Sequence, residues 1–406
     1  MNQSSEYQLD YPIILHCHLR WDGVWQRPQQ FLSRLSQRHR VLFVEGPILR
    51  DSFEPPNYTL RDIPEYPHIT VMQTFFPSSR FSDGQWVDQE RCRLLEEALA
   101  LKLKGKFDQP VLWFYDPMAA PAHIGKFDER AVVYDCMDEL SQFRFAPPEI
   151  VKRERELLAK ADVVFTGGRK MCESKWRHNK NCFFYGCGVD VKHFSQARSR
   201  ETAVPGDIRF GEGKPVLGYF GVVDERLDYD LIGKLARANP NWQLVIIGPA
   251  CKVDPASFPQ GANLHWLGRR EYSQLPAYTK GFDVCLMPFA MNEATEFINP
   301  TKALEYMATG RPIVSTPVPD VISNFGSVVK VAISQDEFIQ ICRKESLQPD
   351  EAAIARGIQM AEENQWETIV QRLEGHIQDV FEAKQKRLRR SHTAGRGSRQ
   401  AAAAEV

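Results

Sequence analysis

The chain has 406 residues, more than a single hydrophobic core usually serves, so two domains are expected. Its 51 Lys and Arg nearly balance 52 Asp and Glu, which excludes the strongly basic charge of a dedicated nucleic-acid binder. A hydrophobic share of 43% with 25% charged residues excludes both a disordered chain and a membrane-embedded one.

Nine cysteines, odd in number and without a C-x-x-C pair, argue against a disulfide framework and a zinc ribbon and fit a reducing cytoplasm. The first residues, MNQSSEYQLDYPIILHCHL, have no basic n-region and no long apolar core, and no later window holds the ~18 apolar residues of a spanning helix. Export and membrane insertion are therefore not expected.

Apolar runs of strand length alternate with helical segments from the start, the pattern of parallel sheets covered by helices. YPIILHCH, HRVLFVEG, HITVMQT, PVLWFYD, AVVYDCM and DVVFTGG read as successive strands of a first α/β domain over residues 1–193. After the first of them, a polar and aromatic loop carries Trp21, Trp25, Arg27 and Gln30 into an amphipathic helix from Pro28 to Gln37. Aromatic faces suit sugar C–H surfaces, and an Arg suits a phosphate or carboxylate on an acceptor; the same tryptophans would equally pack a domain edge. Asp116, with His123 just after it, and Asp135 and Asp138 stand at or after strand ends, where open sheets bind ligands. Helix capping is the alternative role for these carboxylates. None has a D-x-D companion, and Cys182 and Cys187 lack paired ligands, so no metal site is expected.

A polar stretch rich in Gly, Arg, Ser and Pro, residues 194–213, reads as a linker. A second strand series follows over 214–363: KPVLGYFG, WQLVIIGP, NLHWLG, VCLMPF, PIVST and VVKVA. The first of these ends in a glycine-bearing turn at Gly221, which permits close backbone approach to a ligand, with Arg226 positioned for a phosphate. The stretch from Glu293 to Asp320, EATEFINPTKALEYMATGRPIVSTPVPD, reads as a loop opening onto a helix start. Asn299 or Thr301 caps that helix, Pro300 suits its first turn, Lys302 adds a positive charge, and Glu305 falls one turn later on the Thr301 face. A diphosphate suits such a helix start. Gly310 and Pro312 then end the helix and feed PIVST. A helix over 364–390 closes the fold, with Trp366 as its packing anchor. Its basic run KQKRLRR suits either a solvated helix end or anionic lipid headgroups, and residues 391–406 have too little apolar content to fold.

The Glu293–Asp320 stretch resembles the donor-sugar segment of retaining glycosyltransferases of GT-B architecture, family 4, the glycosyl transferases group 1. The W-Q-R-P-Q segment, Trp25 to Gln29, is similar to segments of bacterial sugar transferases of the polysaccharide and teichuronic-acid type. The resemblance implies two doubly wound Rossmann-like domains facing across a cleft, with the C-terminal helix crossing back to the first. It implies transfer of a sugar from a nucleotide-diphosphate donor to a glycan or lipid-linked acceptor hydroxyl, with retained configuration and no metal or other cofactor, in cell-surface polysaccharide synthesis.

By the same resemblance, Glu305 holds the ribose and Lys302 with the helix start at Asn299 and Thr301 holds the diphosphate. Gly221 and Arg226 face the diphosphate from the other side, and Arg269 lies in the turn that reads the base. Trp21, Trp25, Arg27 and Gln30 meet the acceptor, and Asp116, His123, Asp135 and Asp138 orient sugar hydroxyls. The family pattern has a further glutamate eight positions before Glu305, where this chain has Phe297. Either Glu296 takes that role by a register change or the role is absent. The departure keeps open a non-catalytic sugar-nucleotide-binding scaffold; a sugar-nucleotide 2-epimerase, which cleaves the same bond on the same fold, is a third reading. The scattered cysteines point to a cytoplasmic location, and the basic run KQKRLRR leaves open peripheral contact at the inner membrane face.

Overall fold

The computed structural model describes residues 10–402 apart from 24, 52, 144–145, 252, 293–294 and 296–300. Two compact units are present: the chain as far as Gly186 together with Ile369–Val406, and Cys187–Thr368.

In the first unit the strands are β1 (Ile13–Cys17), β2 (Val41–Glu45), β3 (Ile48–Arg50), β4 (Asn57–Ile63), β5 (Tyr66–Pro77), β6 (Val111–Phe114), β7 (Ala131–Cys136), β8 (Val163–Thr166) and β9 (Cys182–Phe184). They form one sheet in the order β3-β5-β2-β1-β6-β7-β8-β9, parallel throughout, with β4 added antiparallel to β5. Every residue of β1, β2, β6, β7 and β8 is buried. Runs such as Ile13-Ile14-Leu15 dictate this, since a strand apolar on both faces needs cover on both. Part of that cover is the helix Gly84–Leu101, whose buried Val87, Leu94, Leu95 and Ala98 recur at helical spacing and whose start is capped by Asp83, accepting from Trp86 N. Each of Val87, Leu94 and Leu95, fully buried, contributes about 1.5–3 kcal/mol relative to exposure.

In the second unit the strands are β10 (Val216–Phe220), β11 (Gln243–Ile247), β12 (Leu264–Gly268), β13 (Val284–Met287), β14 (Ile313–Ser315) and β15 (Lys330–Val331). All pair in parallel, in the order β12-β11-β10-β13-β14-β15. In both units the strand order reverses beside the first strand, between β1 and β6 and between β10 and β13. Loops leaving the two strands at such a reversal diverge, which opens a crevice at their carboxyl ends.

Three segments differ from the sequence reading. Residues 194–213 are not a free linker: Phe194, Ala197 and Ile208 are 0%, 2% and 2% exposed, and Phe194 and Ile208 lie in the second unit's core. Their polar neighbours mask these apolar insertions in the composition. The last helix starts at Trp366, which is buried in the second unit and donates its N–H to Val189 O. From Ile369 onward it belongs to the first unit, where Glu374 bonds Arg38 and His39, His376 stacks on Phe183 at 3.7 Å, and Lys384 pairs with Asp162 at 2.7 Å. Lys384, the first cation of the basic run, is thereby tied to protein. The backbone helix also continues past Ser391 to Ala402, because intrahelical hydrogen bonds need no apolar partner.

Candidate active site

The crevice of the second unit is built on the end of β10. Phe220 N donates to the hydroxyl of Tyr306, which fixes the helix Thr301–Thr309 across that end. Gly221 follows at φ +154°, donating its N–H to Ile247 O at 2.8 Å. A Cβ there would sit 2.5 Å from the Tyr219 hydroxyl and 2.8 Å from Lys302 Cε, so only glycine lets the Lys302 stem pass. Gly248, at φ +150°, is closer still: its Cβ would lie 1.6 Å from Gly221 O. The two glycines therefore let the turns after β10 and β11 touch backbone to backbone.

Lys302 Nζ lies 3.2 Å from Glu305 Oε2 and 5.0 Å over the Phe220 ring, with side chains 22% and 16% exposed. The helix begins at Thr301, half-buried, and ends with Gly310 at φ +70°, the left-handed conformation expected after its last turn. A helix start, an ammonium, a carboxylate one turn on and a bare glycine turn thus converge at the strand reversal. Chemically this set can neutralise an anion and accept hydrogen bonds from a diol beside it. Asn299, Glu296, Phe297 and Pro300 lie outside the described residues.

Arg226 is engaged locally. Its Nε and Nη2 make a fork onto Asp224 at 2.6–3.0 Å, and that bond holds the guanidinium pKa above its ordinary value. Asp224 neutralises the charge that would otherwise face a phosphate. Arg269 is exposed, 3.9 Å from Glu271, whereas its neighbour Arg270 is tied to Tyr278 and Asp207. Sequence reasoning missed Tyr306 and Tyr219 in this site, because an aromatic in an apolar helix or strand reads as core.

In the first unit the predicted residues separate into packing and crevice groups. Arg27, predicted to meet an acceptor, is 6% exposed and bonds Asp135 through Nε at 3.0 and 3.2 Å and Tyr185 O through Nη1 at 2.6 Å. Asp135, 0% exposed, also accepts from the Tyr115 hydroxyl at 2.6 Å. The two residues form a buried ion pair between the first helix and β7, which removes both from the set able to touch a ligand. Trp21 is buried edge-on against Phe43 and Tyr66, the packing alternative, while Trp25 is 43% exposed. Gln30 accepts from Arg34, one turn along the same helix.

Asp116 caps the turn after β6, accepting from Met118 N at 2.9 Å. His123 is buried, its Nδ1 2.8 Å from Ala119 O and its ring stacked 4.1 Å from His16. Burial pushes its pKa down to about 4. Asp138 stands exposed in the turn after β7. Among the described residues no group of three His, Cys, Asp or Glu is placed to hold a metal, and no helix is long and apolar enough to cross a membrane.

Residues 214–343 match the family model described as "Glycosyl transferases group 1". Over 279 residues the chain is 24% identical to TuaH of Bacillus subtilis (strain 168), whose name assigns it to teichuronic acid biosynthesis as a glycosyltransferase. That match takes in 62% of this chain and 66% of TuaH, just under two thirds of the relative's length. Among solved structures, sucrose-phosphate synthase from Thermosynechococcus elongatus superposes with a TM-score of 0.58 at 15% identity, covering 92% of this chain and 100% of that one. An E. coli trehalose-6-phosphate protein bound with UDP-2-fluoro glucose gives 0.60 at 12%, covering 91% and 99%. Anabaena HepE in complex with UDP and glucose gives 0.60 at 14%, covering 91% and 100%. Identities this low speak for the fold alone, and the fold is that of GT-B glycosyltransferases. The stretch of the second unit that matches the glycosyl transferases group 1 model includes the helix Thr301–Thr309.

Proposed function

We propose that the chain transfers a sugar from a nucleotide-diphosphate donor, held by the second unit, to a hydroxyl of a glycan or lipid-linked acceptor, with retained anomeric configuration, in the synthesis of cell-surface polysaccharide. The observation that carries this reading is the meeting of Lys302, Glu305 and the Gly221 turn at the strand reversal beside the start of helix Thr301–Thr309.

In this reading the diphosphate draws Lys302 off Glu305 and lies against the first-turn amides, so the ammonium and the helix dipole stabilise the negative charge that grows as the sugar leaves. Glu305, freed of its lysine, accepts from the ribose hydroxyls. Gly221 lets backbone stand where a side chain would exclude the phosphates. The acceptor attacks on the face the diphosphate leaves, and the departing phosphate oxygen takes its proton. TuaH, named for teichuronic acid biosynthesis, and the complexes of HepE with UDP and glucose and of the E. coli protein with UDP-2-fluoro glucose support a sugar-nucleotide donor and a polysaccharide product.

Calorimetry of the chain against UDP-, GDP-, ADP- and dTDP-sugars, repeated with Lys302→Ala, tests this. One nucleotide class should bind, and the variant should lose at least tenfold in affinity, about 1.4 kcal/mol, while melting at an unchanged temperature. A folded protein that binds none of the four classes would sink the reading.

A further inference from the structure

The nine cysteines are scattered along the sequence, and the first unit brings two of them together. The helix Arg169–Trp176 follows β8 and leads, through residues 177–181, into β9 at the edge of the sheet. Cys172 stands in the first turn of that helix, and Cys182 opens β9. Their sulfurs lie 3.8 Å apart. Each thiol also faces the other residue's carbonyl oxygen at 3.8 Å, so the two stretches of backbone are near neighbours, as a disulfide requires. Cys136, another thiol facing this helix, contacts Met171 Sδ at 3.2 Å instead.

Access and charge differ between the two sulfurs. Cys172 is half-buried and Cys182 is 7% exposed, so an oxidant reaches Cys172 first. Burial, and after it the Cys172 thiol, pushes the Cys182 thiol up to about 12, whereas the Lys175 ammonium acts in the opposite direction. Reaction of Cys172 removes its own part of that rise. Lys175, held in place at 2.8 Å by Glu139 and Glu154, then remains to favour the Cys182 thiolate.

We infer that Cys172 and Cys182 are a modification site, a reversible disulfide that staples the edge strand β9 to the helix before it. With hydrogen peroxide, the Cys172 thiolate attacks one oxygen and the O–O bond breaks; Cys172 becomes a sulfenic acid, and the departing hydroxide takes up the thiol's proton. Cys182 then attacks that sulfur, the S–S bond forms, and the sulfenic oxygen leaves as water with the Cys182 proton. Two thiols are oxidised and one peroxide is reduced to two waters. Oxidised glutathione gives the same product by two thiol exchanges, releasing two glutathione thiols. In a reducing compartment such a bond forms under oxidant and is lost again. Its effect falls on the rim of the first unit: β9 has three residues, and Phe183, next to Cys182, is where His376 of the last helix stacks.

The test is peptide mapping of the full chain, reduced and then exposed to hydrogen peroxide or oxidised glutathione. Trypsin cuts after Lys175, Arg177 and Lys180, so the bond shows as linked peptides 171–175 and 181–192 that dithiothreitol separates. The second peptide also holds Cys187, which gives a control: Cys187→Ser should keep the link, and Cys182→Ser should lose it. Cys182→Ser should instead trap glutathione on Cys172, which fixes the order of attack. Cys172→Ser, at the less buried position, should lose the link equally and guards against a folding defect in the other variant. The linked chain should melt about 5 °C or more above the reduced one, a gain that dithiothreitol reverses. Oxidation of the exposed Cys251 with Cys172 and Cys182 left unlinked would overturn the inference. A link that survives Cys182→Ser, or a linked chain that melts no higher than the reduced one, would do the same.

Discussion

Replacing Arg27 by Ala decides whether that side chain holds the first unit together or meets a substrate. The Arg27 and Asp135 side chains are 6% and 0% exposed, and Nε reaches both carboxylate oxygens. Truncation leaves the Asp135 carboxyl group buried, with the Tyr115 hydroxyl still donating at 2.6 Å but no cation in contact. Breaking one side of a buried pair costs about 3–5 kcal/mol. At about 2–4 °C per kcal/mol for a unit of this size, the melting temperature should fall by about 6–20 °C. The double variant Arg27→Met/Asp135→Leu removes both charges and should recover most of the loss, because desolvation of the pair then disappears with the pair. Scanning calorimetry of wild type, both single variants and the double variant reads the cycle directly. An Arg27→Ala protein that melts within about 2 °C of wild type yet fails to transfer sugar would refute the structural role and return Arg27 to the acceptor.

Two further outcomes follow from other parts of the fold. His123 is held neutral, its pKa lowered from 6.5 to about 4 by burial, so the unfolded chain binds the extra proton first as pH falls. Stability should be full above about 6.5 and decline toward pH 4, by roughly 3 kcal/mol for this group. His16, lowered for the same reason, acts in the same direction. Urea midpoints at pH 7.5 and 4.5 check this, and His123→Gln should flatten the decline. Gly248→Ala drives a Cβ into Gly221 O, so donor binding by calorimetry should disappear along with part of the stability, whereas Gly105→Ala, at φ +72° with nothing within 4 Å, should cost only about 1 kcal/mol of backbone strain. Equal melting temperatures for the two variants would contradict the backbone contact.

The parallel sheets were legible because their strands are apolar on both faces; Val41–Glu45 and Gln243–Ile247 leave no solvent side to confuse the pattern. The hairpin of β4 and β5 was not, since Asn57–Ile63 alternates exposed and half-buried residues and its charged Arg61 and Asp62 read as loop. In the second unit the site residues Thr301, Lys302 and Glu305 lie within five positions and carry local helix-start chemistry, and Gly221 ends a strand in a glycine turn, so local patterns could find each of them. In the first unit the decisive contacts join distant positions. Arg27 meets Asp135 across 108 residues of chain, a span that leaves no local signal. Residues 194–213 were misread for a related reason: Phe194, Val204, Ile208 and Phe210 are isolated apolar anchors in a stretch whose average is polar.

The path of the chain has a consequence for how the protein is made. Cys187–Thr368 is one continuous stretch, whereas the first unit draws Ile369, Val370, Leu373 and Ile377, each at most 3% exposed, from the far end. The middle of the chain can complete its core without these side chains, whereas the earlier part cannot, so the second unit is able to fold first, the reverse of the usual amino-to-carboxyl order. A chain cut off after residue 368 would hold a finished second unit and an open first one, with Tyr11, His39 and Phe183 uncovered where the helix is to dock.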